Sequence, residues 1–113
     1  MAEKICNLNK NKIGGGMSGM ATQLINITAN GTFTIPSINE YALILLIAEN
    51  SSGVVAEQVT TPSMVSNIQA SYYLRTTWAN QEAVIKAVFN SATSVTVTDK
   101  STYITNLKII GVK

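Results

Sequence analysis

The sequence predicts an all-β fold: a two-sheet antiparallel β-sandwich, jelly-roll-like, of about eight short strands. Three observations predict it. Tyr41-Ala42-Leu43-Ile44-Leu45-Leu46-Ile47-Ala48 carries no charge and only one hydrogen-bonding side-chain group, the Tyr hydroxyl. From residue 21 onward, apolar and polar side chains alternate with a period of two, the signature of half-buried strands. Turn chemistry built on Asn, Gly, Pro and Ser separates the alternating stretches.

The stretch at 41–48 is too short to cross a bilayer as a helix, which takes about 20 apolar residues. Pro36-Ser37-Ile38-Asn39 before it and Asn50-Ser51-Ser52-Gly53 after it favour a strand over a core helix. In a strand, Tyr41, Leu43, Leu45 and Ile47 point one way, and Ala42, Ile44, Leu46 and Ala48 the other. Both faces are apolar, whereas a strand of a simple antiparallel sandwich keeps one face wet. A second dry cover is needed, and in a small chain another copy supplies it most easily. Self-association is therefore the first functional expectation.

Composition narrows the partners. A chain of 113 residues makes one domain. Charged residues are 12% of it, against about 25% in an ordinary soluble domain. With Ser, Thr and Asn abundant, the surface is expected to interact through hydroxyls and amides. The net charge of +2 comes from scattered lysines with no basic stripe, which excludes the clustered cations that nucleic acid requires. Membrane partners are not expected. The single cysteine, Cys6, allows no internal disulfide and reads as an incidental thiol. The first residues carry no apolar h-region, so no signal peptide is expected, and without a secretory route the sequons at Asn26, Asn30 and Asn50 mean little.

Taken in order, residues 1–20 read as a flexible leader, or a shaft or anchor segment, ahead of a head domain at 21–113. The leader contains Gly14-x-Gly16-x-x-Gly19, but neither the strand nor the helix that a dinucleotide site needs flanks it. Gln23 to Thr28 alternates as a strand, and the following Asn30-Gly31 is a hairpin signal. Thr32 to Ile35 alternates until Pro36 stops it, and the strand at 41–48 follows. Val54 to Thr60 is a strand closed by Thr61-Pro62-Ser63-Met64. Ala70 to Trp78 sets Tyr72, Leu74, Thr76 and Trp78 against Ser71, Tyr73, Arg75 and Thr77. Residues 82–90 have acceptable helical composition, yet their alternation and their Val, Ile and Phe content favour a strand. Val95 and Val97 mark a short strand. Tyr103 to Val112 is the last, apolar on both faces, with Ile104 and Ile110 on the same side.

The inventory argues against catalysis. With no histidine, one cysteine in the leader and six scattered carboxylates, the chain builds neither a Ser-His-Asp nor a Cys-His arrangement. Glu40, Glu49, Glu57, Glu82 and Asp99 sit beside turns or at strand ends, as solvated carboxylates do. Neither a zinc site nor a calcium loop is legible, and no cofactor is expected. Binding remains. Tyr73, Arg75 and Trp78, with Asn80 and Gln81 just beyond, gather aromatic surface and the only arginine into one short segment. Such side chains stack on a sugar ring and bond its hydroxyls, or form an interface hot spot. Tyr72, Leu74 and Trp78 are equally accounted for as the core-facing side of one strand. The expected self-association surface comprises Tyr41, Leu43, Ile44, Leu45, Leu46, Ile47, Ile104 and Ile110.

Four features together resemble the C-terminal heads of tailed-bacteriophage tail fibres and receptor-binding proteins. They are a short leader, the turn-to-strand run Ile35-Pro36-Ser37-Ile38-Asn39-Glu40-Tyr41-Ala42-Leu43-Ile44-Leu45, a strand ending in Thr61-Pro62-Ser63-Met64, and the ending Leu107-Lys108-Ile109-Ile110-Gly111-Val112-Lys113. The resemblance spans residues 21–113. It implies a homotrimer on the virion surface, a leader that joins other virion proteins, and an exposed tip that recognises a bacterial surface glycan or protein. It transfers no binding residue. The short leader departs from the family pattern, which fits an excised head, a small virion protein or a prophage product. A structural virion component, such as a capsid decoration or head fibre, is the alternative. A monomeric carbohydrate-binding module is the third, and the doubly apolar strands count against it.

Overall fold

The computed structural model describes residues 20–67, 71–78 and 81–113. Eight strands form in chain order: β1 (Ala21–Ile27), β2 (Gly31–Thr34), β3 (Leu43–Asn50), β4 (Gly53–Thr60), β5 (Ser71–Trp78), β6 (Gln81–Ser91), β7 (Ser94–Thr98) and β8 (Asn106–Val112). A 3-10 turn, Ile38–Glu40, precedes β3, and a short helix, α1 (Pro62–Asn67), follows β4. Sheet 1 has the order β1-β8-β3-β4 and sheet 2 the order β2-β7-β6-β5, with every pairing antiparallel. Together the sheets make a β-sandwich.

Alternation puts the core between them. Sheet 1 contributes Ile27, Ile44, Leu46, Ala48, Leu107 and Ile109, all essentially inaccessible. Sheet 2 answers with Leu74, Ala83, Ile85, Ala87, Phe89, Val95 and Val97. Each Ile, Leu, Val or Phe so buried contributes roughly 1.5–3 kcal/mol. Ile35, Ile38, Val65 and Ile104 belong to the same cluster from outside the strands. The one buried polar residue among those described, Thr60 on β4, has its hydroxyl 2.6 Å from that of Tyr72 on β5. That bond ties the edge strand of one sheet to the edge strand of the other, and leaves no buried hydroxyl unmet.

The structure corrects several expectations. Asn30-Gly31 is a corner, not a hairpin, because β1 pairs with β8 and β2 with β7. Gly31 sits at φ +153, and Asn30 Oδ1 accepts the Lys100 amide at 3.1 Å. Thr61-Pro62-Ser63-Met64 is not merely a turn but the start of α1. Thr61 acts as N-cap, its Oγ1 accepting the Met64 amide at 3.4 Å, and Pro62 takes the first helical position. The strand expected at 41–48 runs instead from Leu43 to Asn50. Tyr41 therefore leaves the face it was expected to share with Leu43. A Cβ added at Gly111 would meet its ring at 2.5 Å, so the ring occupies the place of the side chain that Gly111 lacks, against the core. The last strand begins at Asn106, which puts Tyr103 and Ile104 in the preceding loop.

Candidate functional site

Three surfaces carry the side chains that sequence reasoning singled out or overlooked. The first is the outer face of sheet 1. Register aligns Leu45 with Ile110 and Val59, and Ile47 with Lys108 and Glu57. Leu43, Leu45, Ile47 and Ile110 are half-buried by their neighbours, and Val59 is 53% exposed. Ile44, Leu46 and Ile104, expected in the same self-association surface, are at 0% exposure within the chain's own core. The reason is parity: adjacent residues of β3 point to opposite faces, and one face is already filled by sheet 2. Only the odd-numbered residues of that strand remain for a partner.

This face turns polar toward the ends of β3 and β8 nearest the β3–β4 turn. Asn106 Nδ2 donates to Asn26 Oδ1 at 2.8 Å and to Glu49 Oε1 at 3.0 Å. Lys108 Nζ lies 3.2 Å from Glu49 Oε1. The Asn106 amide, and after it the Lys108 ammonium, hold the Glu49 carboxyl below its ordinary value against the opposing pull of partial burial.

The outer face of sheet 2 is the second surface. Tyr73 and Arg75 point outward from β5 as alternation requires, and Tyr73 is 54% exposed. Their chemistry is engaged locally: Lys86 Nζ stands 5.4 Å from the Tyr73 ring centroid, and Arg75 Nε lies 2.9 Å from Glu82 Oε2. Beside them runs a hydroxyl array. Thr32 and Thr96, directly opposite in register, have hydroxyls 2.8 Å apart, and Asn90 Nδ2 donates to Thr96 Oγ1 at 2.8 Å. Trp78 pairs with Gln81 through the backbone. The side chains of Trp78 and Gln81, and the whole of Asn80, lie outside the described residues, as does the glycine-rich segment at 14–19.

The third surface was not read from the sequence. A cleft of about 300 Å³ opens where the β3–β4 turn, the end of β5, the start of β6 and the loop before β8 meet. Asn50, Ser52, Thr76, Thr77 and Tyr103 supply its polar groups. Val54, Val55 and Ala83 supply its apolar wall. A β-bulge on β4 helps build it: Ala48 pairs with Ala56 and Glu49 with Val54, so Val55 is the extra residue. Asn50 Oδ1 accepts the Ser52 amide at 2.8 Å and, with Gly53 at φ +125, closes the two-residue turn. Ser101 fixes the opposite wall, its amide donating to the Val84 carbonyl at 2.8 Å and its Oγ accepting the Tyr103 amide at 3.1 Å. Asn50 and Tyr103 are far apart in sequence, so no local signal joins them.

The cleft lies at the end of the sandwich remote from residue 20. Ala21 and Leu43 both pair with Val112, and the Lys113 amide donates to the Met20 carbonyl at 3.0 Å. At the other end Glu49 pairs with Asn106, and Asn50 with Gly53. The length of β3 separates the two ends by roughly 23 Å. Among the described residues, no group of three or more His, Cys, Asp or Glu is placed to hold a metal ion, and no helix is long and apolar enough to cross a membrane. No protein-family model, no curated protein and no solved structure matches the chain.

Proposed function

We propose that this chain is the jelly-roll-like head of a trimeric, non-enzymatic phage or prophage virion protein. Residues 1–20 join it to the particle, and the opposite end meets a receptor, a glycan or protein on the bacterial surface. The observation that carries the reading is the apolar outer face of sheet 1. Leu43, Leu45, Ile47, Ile110 and Val59 form a sheet face that water covers at a cost, and a second and third copy relieve it. The nested pairs β1–β8 in sheet 1 and β2–β7 in sheet 2 support the rolled topology. The hairpins β3–β4 and β5–β6 are what the sandwich adds within that roll. The placement of the cleft, remote from residue 20, favours a receptor role over a purely structural one. An array of bacterial surface polysaccharides tests the choice. Reproducible hits from a stable trimer support the fibre head, whereas a silent array from a stable trimer transfers the chain to the structural class of capsid decorations and head fibres.

A further inference from the structure

We infer that the cleft between the β3–β4 turn and Tyr103 is a binding site for a neutral saccharide. This rests on the receptor-binding reading and deepens it by naming the site and the ligand class. Asn50, Ser52, Thr76 and Tyr103 bring an amide and three hydroxyls to the lining of one concavity. Among the described residues those three hydroxyls make no hydrogen bond to protein, and Asn50 spends only its Oδ1, on Ser52. Unspent donors and acceptors in a concavity are what a polyhydroxylated ligand requires, because every hydroxyl it desolvates must be met.

The apolar part fits the same ligand. Tyr103 is 38% exposed and Val54 55% exposed, so the cleft offers a ring and an aliphatic wall to the carbon-bound hydrogens of a pyranose. Charge is absent from every lining side chain among the described residues. A phosphate or carboxylate would surrender its hydration with no cation to replace it. The two ion pairs on neighbouring positions, Arg75 with Glu82 and Lys108 with Glu49, lie on the outer faces of the sheets and are each mutually neutralised. A volume of about 300 Å³ is at the small end of ligand sites, roughly 300–1,000 Å³. It suits a single sugar unit, with the open side leaving room for the rest of a polysaccharide.

The test is saturation-transfer NMR on the full chain with glucose, galactose, rhamnose and N-acetylglucosamine, set against glucuronate and glucosamine. Adsorption of the labelled protein to a panel of bacterial strains runs beside it. Neutral sugars are expected to receive saturation, about tenfold more weakly with Tyr103→Ala. They receive none with Ser52→Trp, which fills the mouth of the cleft from an exposed turn position, and are unaffected by Arg75→Ala. Transfer that survives both cleft variants overturns the site. Transfer lost only with Arg75→Ala moves the receptor surface to the outer face of sheet 2 and leaves the receptor reading standing. Adsorption to cells with no transfer from any sugar overturns the saccharide class alone. Absence of both overturns the site and the receptor reading together.

Discussion

The outer faces of the two sheets hang from strands whose other side packs into one mainly apolar core, yet they differ in kind. Sheet 1 presents Leu43, Leu45, Ile47, Ile110 and Val59 side by side, whereas sheet 2 presents Thr32, Thr34, Thr96, Thr98, Asn90, Tyr73, Arg75 and Lys86, with half-buried Val84 and Val88 set singly among them. On sheet 2 the outward groups satisfy one another laterally, as in the bonds from Asn90 to Thr96 and Ser94, and such a face is at rest in water. On sheet 1 the outward groups are shielded only by their neighbours in the sheet. Inward positions are dictated by the core and say nothing of function. Outward positions are free to vary, so the contrast between the two faces is where a role shows.

The sharpest way to probe that contrast is to truncate leucines one residue apart. Leu46→Ala, on the inner face, is expected to cost about 2–5 kcal/mol in denaturant unfolding. Leu45→Ala, on the outer face, should cost under about 1.5 kcal/mol when the protein is dilute, with the cost rising as concentration favours assembly. Equal, concentration-independent losses would erase the distinction between the two sides.

Tyr41 tests which side a residue at the border belongs to. Gly111→Ala forces a Cβ into its ring, at 2.5 Å from Cγ, and is expected to destabilise by about 1–3 kcal/mol. Tyr41→Ala should remove most of that penalty in a double-mutant cycle. Additive losses would mean that the ring does not lie over Gly111. Asn90→Ala, on the hydroxyl face, deletes both bonds to Thr96 and Ser94 from an exposed site. A loss of about 1 kcal/mol or less is expected in thermal unfolding, with no change in oligomeric state.

The smallest effect is electrostatic. Because the folded state lowers the Glu49 pKa from 4.5, its contribution is present above that unfolded value and is lost as pH falls through the lower folded value. Glu49 and Lys108 remain 24% and 34% exposed, so the pair is worth less than about 1 kcal/mol. Urea titrations of Glu49→Gln between pH 7 and pH 3 should therefore show a flatter decline below about pH 4.5 than the parent chain. An identical decline would mean that Asn106 and Lys108 do not favour the ionised carboxylate.

Strand content was legible because each strand's alternation is local. Tyr72 and Leu74 inward against Tyr73 and Arg75 outward, and Ala83, Ile85, Ala87 and Phe89 facing the core, follow directly from period two. Pairing was not local, and there the reading faltered. Asn30-Gly31 has the composition of a hairpin, but β1 finds a longer partner in β8, whose position depends on the far end of the chain. Thr61-Pro62-Ser63-Met64 is read only as the close of a strand, because the helix that follows, Pro62–Asn67, is too short for its periodicity to show. Ile44 and Leu46 were placed with Leu43 and Leu45 because a doubly apolar strand does not say which face meets its own chain. Tyr103 gave no sign of a site, since Asn50, Thr76 and Tyr103 line one cleft only after both sheets have closed.

Light scattering behind size exclusion tests the central claim most directly. The purified chain is measured at micromolar concentration and after tenfold dilution, beside Leu45→Glu and Thr96→Glu. A trimer mass that persists on dilution, survives Thr96→Glu and falls to the monomer with Leu45→Glu is the predicted result. A monomer at both concentrations, or a trimer indifferent to Leu45→Glu, would contradict the assignment of the outer face of sheet 1 to the subunit interface.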